Sequence, residues 1–273
     1  MDFDWRRYVD NKATFFAKYA AAGGAVGALI GEIVPDGPAS FLELVLKVGI
    51  WAGIVGAGIS MALTVSQDRY LKKKTWKADS WKGAIPGLIS GLVGGAAAQA
   101  TYTIVGPTEL LRIICWGIFG ALLGAFLSRK VPNLDRRKAS VGGSIGGATG
   151  GLVFIMVSAL FFSGLGRLVG CAVIGSCIGL MIAVTETFTR EAWLEVEWSK
   201  NEIGTISLGS RPILIGSNRE CDICVRDIPD MTAKIWTERG TVKIEDCTRH
   251  KMQELESGSV IKFGGMTATI RLA

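Results

Sequence analysis

Six apolar runs, at residues 17–34, 41–66, 83–105, 110–127, 139–162 and 168–187, constrain this chain more than any other feature. Each is close to the ~20 residues that carry a helix across a bilayer. Helices in soluble cores are rarely so long and so free of charge. The runs therefore predict six transmembrane helices. Mean hydropathy is +0.37. Of the 36 glycines, 25 fall inside the runs, not in a collagen-like or low-complexity pattern. The opening stretch, MDFDWRRYVDNK, carries acidic residues and no early apolar segment. No secretory signal is read there, and the first helix is expected to be retained.

The net charge of +6 resides in the apolar part. From Phe188 onward the chain has 12 Lys and Arg against 13 Asp and Glu, so the C-terminal part is near neutral. This pattern belongs to a bilayer protein and leaves no footprint for nucleic acid. Basic residues on alternate sides of the spans divide 15 to 3. The rich side holds Arg6, Arg7, Lys12 and Lys18, the cluster from Arg69 to Lys82, and Arg129, Lys130 and Arg136 to Lys138. The poor side holds Lys47, Arg112 and Arg167. Retained Lys and Arg mark the cytoplasmic face. Both termini are thus expected inside, in a bacterial inner membrane. Trp5, Trp76 and Trp81 suit the inner interface, and Trp51 and Trp116 the outer one.

The odd-numbered spans share one pattern. Counting from Lys18, Lys82 and Lys138, glycine recurs at every fourth residue: Gly23, Gly27 and Gly31; Gly87, Gly91 and Gly95; Gly143, Gly147 and Gly151. The even spans match more loosely, and Lys47, Arg112 and Arg167 lead into them. Residues 1–187 therefore read as an α-helical transmembrane bundle of three glycine-zipper hairpins, at about 13–66, 81–127 and 138–187. A bare stripe lets two backbones approach closely where the hydrophobic drive between helices is missing. Such stripes either pack helices within one subunit or form oligomer contacts and line a path. Ionisable residues stay near span ends, which gives no sign of an ion route at the midplane.

After residue 187 the texture changes. AWLEVEW alternates, with Ala192, Leu194, Val196 and Trp198 on one side. IGTISL, PILIG, DICV, AKIWT, TVKIED, VIKF and TATIRL follow as short candidate strands between glycine turns. This spacing predicts a C-terminal β-sandwich over 193–273. The segments ILIGSNRECDICVRD, AKIWTERGTVKIED and LESGSVIKFGG resemble a forkhead-associated (FHA) domain. The resemblance implies a sandwich that recognises protein segments, in most members through phosphothreonine held by an arginine, a serine and an asparagine. Here Ser217 follows Gly216 where the arginine belongs, Pro229 and Thr232 replace the Ser-x-x-His pair, and CTRHKMQ offers no Asn-Gly. The resemblance thus implies a degenerate, protein-docking module. Ser217, Asn218, Arg219, Thr232 and Arg249 are its candidate partner-binding residues. The membrane part resembles no known family.

Cys221, Cys224, Cys247 and His250 have zinc-like spacing. Against this, Cys221 and Cys224 would point to opposite faces of a strand, and a free cysteine is commonly a buried hydrophobe. Core packing is the expected role, with no metal and no cofactor. No P-loop, nucleophile elbow or H-E-x-x-H is present, and the chain has a single histidine. The expectation is a non-enzymatic, oligomeric membrane scaffold that recruits a cytosolic protein within a larger complex. An oligomeric pore or lipid-handling unit, and a membrane-tethered phosphothreonine reader, are the alternatives.

Overall fold

The computed structural model describes residues 5–35, 40–73, 77–129, 131–160, 163–199, 202–218 and 220–273. Trp76 and Arg219 lie outside the described residues, as do Lys74 and Lys130. Six helices come first: α1 (Trp5–Gly31), α2 (Phe41–Tyr70), α3 (Lys77–Val105), α4 (Glu109–Leu127), α5 (Arg136–Leu160) and α6 (Ser163–Thr189). All six are long and apolar enough to cross a membrane.

Their starts follow local chemistry. Ser40 caps α2 by accepting from the Glu43 amide at 3.4 Å, and Thr108 caps α4 by accepting from the Leu111 amide at 3.3 Å. The Asp135 carboxylate accepts the amides of Arg137 and Lys138 at 2.9 and 3.0 Å, where the exposed donors of α5 need a partner. These two bonds hold the Asp135 carboxyl below its usual range. Gly106, at φ +103°, ends α3 in a conformation that suits glycine.

The helices form a ring. α1 packs on α2 and α6, α2 on α3, α4 on α5, and α5 on α6, while α3 and α4 meet only sparsely. Glycine sets this pattern. A Cβ on Gly23 or Gly27 would run into α2 at Gly58 or Val55, and one on Gly87 or Gly91 would run into α2 at Gly56 or Ala52. A Cβ on Gly143 or Gly147 would hit the α4 backbone at Gly120 or Trp116. Gly24 and Gly175 do the same work between α1 and α6. No glycine of α3 or α4 has the other helix among its nearest neighbours. Within the hairpin expected at 81–127, α3 thus packs chiefly on α2 and α4 chiefly on α5, with sparser contact between the two. The stripes, moreover, are consumed inside one chain and are not left for contacts with another. Between the helices the interior is filled by Phe16, Ile59, Leu123, Ile174, Ile178 and Ile182, each almost fully buried.

Nine strands follow: β1 (Ala192–Ser199), β2 (Glu202–Leu208), β3 (Ile213–Gly216), β4 (Ile223–Cys224), β5 (Ala233–Glu238), β6 (Thr241–Asp246), β7 (Lys251–Leu255), β8 (Val260–Phe263) and β9 (Met266–Leu272). They make a four-stranded sheet, β2-β1-β9-β8, and a five-stranded sheet, β4-β3-β5-β6-β7. Ala192, Leu194 and Val196 face the core as their alternation predicts, beside Ile270 of the first sheet and Ile215, Ile235 and Val242 of the second. Arg239 and Gly240, at φ 52° and 82°, form the tight turn between β5 and β6 that a two-residue hairpin requires. The expected DICV strand shrinks to Ile223–Cys224. KMQEL, with no apolar alternation, forms the edge strand β7.

β2 is an edge strand of the first sheet, and the bundle covers it. Glu186 of α6 takes Lys12 Nζ of α1 at 2.7 Å and the Ser207 hydroxyl of β2 at 2.9 Å. All three side chains are nearly inaccessible. Tyr70 of α2 accepts the Thr205 amide at 3.0 Å, and Lys72 pairs with Glu202. Asn133 donates to the carbonyls of Ser207 and Arg211, both at 3.1 Å, and accepts the Arg211 amide at 3.2 Å. An unpaired strand edge is an aggregation hazard, and docking on the bundle removes it.

Candidate functional site

The loops that follow β3, precede β5 and join β6 to β7 gather four of the five expected partner-binding residues. Gly216 ends β3 directly beneath the second of these loops, and a Cβ there would strike the Asp230 carbonyl. Only glycine permits that approach. Ser217 and Asn218 then donate their amides to the carbonyls of Pro229 and Asp230, both at 3.1 Å. Thr232 donates its amide to Ile215 and accepts the Cys247 amide, each at 2.9 Å, which ties in the turn carrying Arg249. Ser217, Asn218 and Arg249 are exposed and Thr232 is half-buried. Arg219, the fifth residue, lies outside the described residues.

The two hydroxyls at this site are already engaged. Ser217 Oγ donates to Asp230 Oδ1 at 3.1 Å, and Thr232 Oγ1 donates to the Pro229 carbonyl at 3.2 Å. Asn218 Oδ1 accepts the Glu220 amide at 3.3 Å. Asp246 Oδ1 gathers the Thr248 hydroxyl at 2.6 Å and the amides of Thr248 and Arg249 at 2.9 and 3.2 Å. The Thr248 hydroxyl, more than any other contact, holds the Asp246 carboxyl below its usual range. Asp230 thus takes the Ser217 hydroxyl, and Asp246 shapes the turn that carries Arg249. The loops form a fixed, mixed-charge surface with two exposed methionines beside it, Met231 and Met252. Nothing in the sequence pattern marked Asp230 and Asp246 for these bonds, although both lie within a few residues of the expected set.

The four zinc-like residues take other roles. Cys221 is fully buried and its thiol donates to the Asp230 carbonyl at 3.3 Å, while Cys224 donates to the Asn218 carbonyl at the same distance. Burial pushes both the Cys221 and the Cys247 thiols up from their ordinary value. Among the described residues no three His, Cys, Asp or Glu side chains come together as metal ligands. Cys221 precedes the short β4 and lies outside it, so the argument from opposite strand faces does not apply. Its burial is what separates it from Cys224.

No protein-family model matches this chain, and no curated protein matches it. Among solved structures, Mycobacterium tuberculosis EmbR in complex with a low-affinity phosphopeptide aligns at a TM-score of 0.27 and 14% identity, covering 86% of this chain and 73% of that one. At that similarity the match decides nothing about fold or ligand.

Proposed function

We propose that this chain is an integral membrane anchor whose C-terminal domain, a degenerate forkhead-associated module, docks a protein partner without reading phosphothreonine. It performs no chemistry of its own. The observation that carries the reading is the engagement of the Ser217 hydroxyl by the Asp230 carboxylate. A phosphate dianion drawing on that hydroxyl would have to displace the carboxylate, whereas a neutral or mixed-charge peptide surface would not. Exposed Met231 and Met252 supply adaptable apolar contact of the kind used at protein surfaces. The glycine-zipper hairpins serve to build a rigid platform.

The charge division of 15 to 3 supports a cytoplasmic location for both termini. The β domain docks on Lys12, Tyr70 and Lys72, at the charge-rich end of the bundle. A bacterial inner membrane fits this arrangement. The glycine stripes do not demand a homo-oligomer, so assembly into a larger complex would run through the β domain. The experiment is co-purification from native membranes on a tag at Ala273, with and without phosphatase treatment, read by mass spectrometry.

A further inference from the structure

At the end of the bundle away from the β domain, the helices enclose a cavity of about 540 Å3. That is within the usual size of a ligand pocket. Its walls are aromatic: Trp51 from α2, Tyr102 from α3, Trp116 from α4 and Phe154 from α5. Its floor is Phe119, 4% exposed, above the filled interior. Three cations line it, Lys47, Arg112 and Arg167, one from each even-numbered helix. They are the three basic residues that the sequence places on that side of the spans, and the fold brings all of them to one site.

Each cation has an acidic neighbour: Glu43 for Lys47, Glu109 for Arg112 and Glu32 for Arg167. The balance inside the cavity is nevertheless positive. Glu43 and Glu109, 52% and 58% exposed, do not line it, whereas Lys47 and Arg112, 23% and 35% exposed, do. Three cations against Glu32 leave a lining charge of +2. Trp51 adds an indole N–H that is shut off from solvent and has no acceptor among the described residues. A buried donor of this kind calls for an acceptor. On one side the cavity is bounded by α3 and α4, the two neighbours in the ring that meet only sparsely.

We propose that this cavity binds an anionic phospholipid, with its phosphate held by Lys47, Arg112 and Arg167 and its acyl chains leaving between α3 and α4. A basic pocket between membrane helices suits an anionic headgroup. The aromatic walls suit the first carbons of the chains. A soluble anion would leave those walls wet, and a neutral lipid would bring no charge to match the cation excess of the lining. The inference rests on the six helices spanning a membrane and is independent of what the β domain docks.

Native mass spectrometry of the full chain, released from neutral detergent, tests it. The probes are phosphatidylglycerol and phosphatidylcholine with the same acyl chains, and free glycerol phosphate as competitor. One phosphatidylglycerol should be retained in clear preference to phosphatidylcholine, and glycerol phosphate should not displace it. Arg112→Gln and Lys47→Gln should each weaken retention about 5-fold. Gly94 provides a variant that spares the fold. It lines the cavity, and a Cβ there would meet nothing within 4 Å. Gly94→Leu should keep the helical circular dichroism and the monodisperse elution, yet abolish retention. Equal retention of the two lipids, or full retention by Gly94→Leu, overturns the proposal. Displacement by glycerol phosphate would replace the lipid with a soluble anion and overturn it equally. Alkaline carbonate extraction reports on the membrane reading separately. Release of the chain sinks that reading, whereas a retained chain without lipid selectivity sinks only the cavity proposal.

Discussion

Lys12 and Glu186 stand 174 residues apart and meet in a site closed to solvent, with Ser207 completing the carboxylate's shell. Lys12 also lies over the rings of Tyr70 and Phe16, at 5.3 and 5.8 Å from their centroids. A buried pair gains little over a well-packed apolar replacement, but breaking it strands a charge. Lys12→Met alone should therefore destabilise the chain by about 3–5 kcal/mol, and Lys12→Met with Glu186→Leu by much less. Thermal unfolding in detergent across the double-mutant cycle checks this, and additive losses would contradict it. Asp246 allows a prediction of opposite character, at a half-buried group. Its folded-state pKa lies below the ordinary ~3.9. Its contribution is therefore complete above that value and is lost as pH falls through the folded one. Amide exchange at Thr248 and Arg249, corrected for intrinsic rates, should show constant protection from pH 8 to 5 and loss only in acid. Asp246→Ala should remove that protection at every pH.

At the scale of elements, the packing of helix on helix is decided by where a Cβ would collide. A Cβ on Gly147 would overlap the Trp116 carbonyl, whereas one on Gly117 would lie 3.5 Å from the Ser144 hydroxyl. Gly147→Ala should cost about 1–3 kcal/mol through the forced separation of α4 and α5. Gly117→Ala should be neutral or slightly stabilising, since alanine favours a helix over glycine. Equal melting temperatures for the two variants would refute the collision argument. These contacts also show what the sequence could and could not reveal. The long apolar runs located all six helices because length and hydropathy are properties of one segment. Alternation located β1, and short runs between turn residues located β2, β3, β5, β6, β8 and β9, for the same reason. β7 escaped because KMQEL is exposed along most of its length and alternates nothing. The neighbours of α3 and α4 escaped because identical glycine stripes fit any smooth helix face and do not say which. Asn133 carries no local signal for its role: its bonds to Ser207 of β2 and to Arg211 beyond it reach across 74 and 78 residues.

Across the whole molecule, the β domain and the cavity occupy opposite ends of the bundle. The 23 residues of α2 from Lys47 to Tyr70 separate them by about 35 Å. The junction is polar and buried, and Leu71 at the end of α2 belongs to the core of the β domain. The module is therefore held against the membrane end of the bundle, and does not hang from it on a linker. Its loop surface, with Ser217, Asn218, Thr232 and Arg249, belongs to a domain docked directly on the helices. That these candidate residues share neighbouring loops was legible, because short strands between turns put them there. The bond of Ser217 to Asp230 was not, because it links two loops 13 residues apart. The most direct test is retention of a cytosolic protein by the chain tagged at Ala273, extracted in mild detergent. The account predicts a stoichiometric partner that survives phosphatase treatment and is lost on Met231→Asp with Thr232→Lys, while the variant still inserts and elutes as the wild type does. A partner released by phosphatase, or one indifferent to those substitutions, would contradict it.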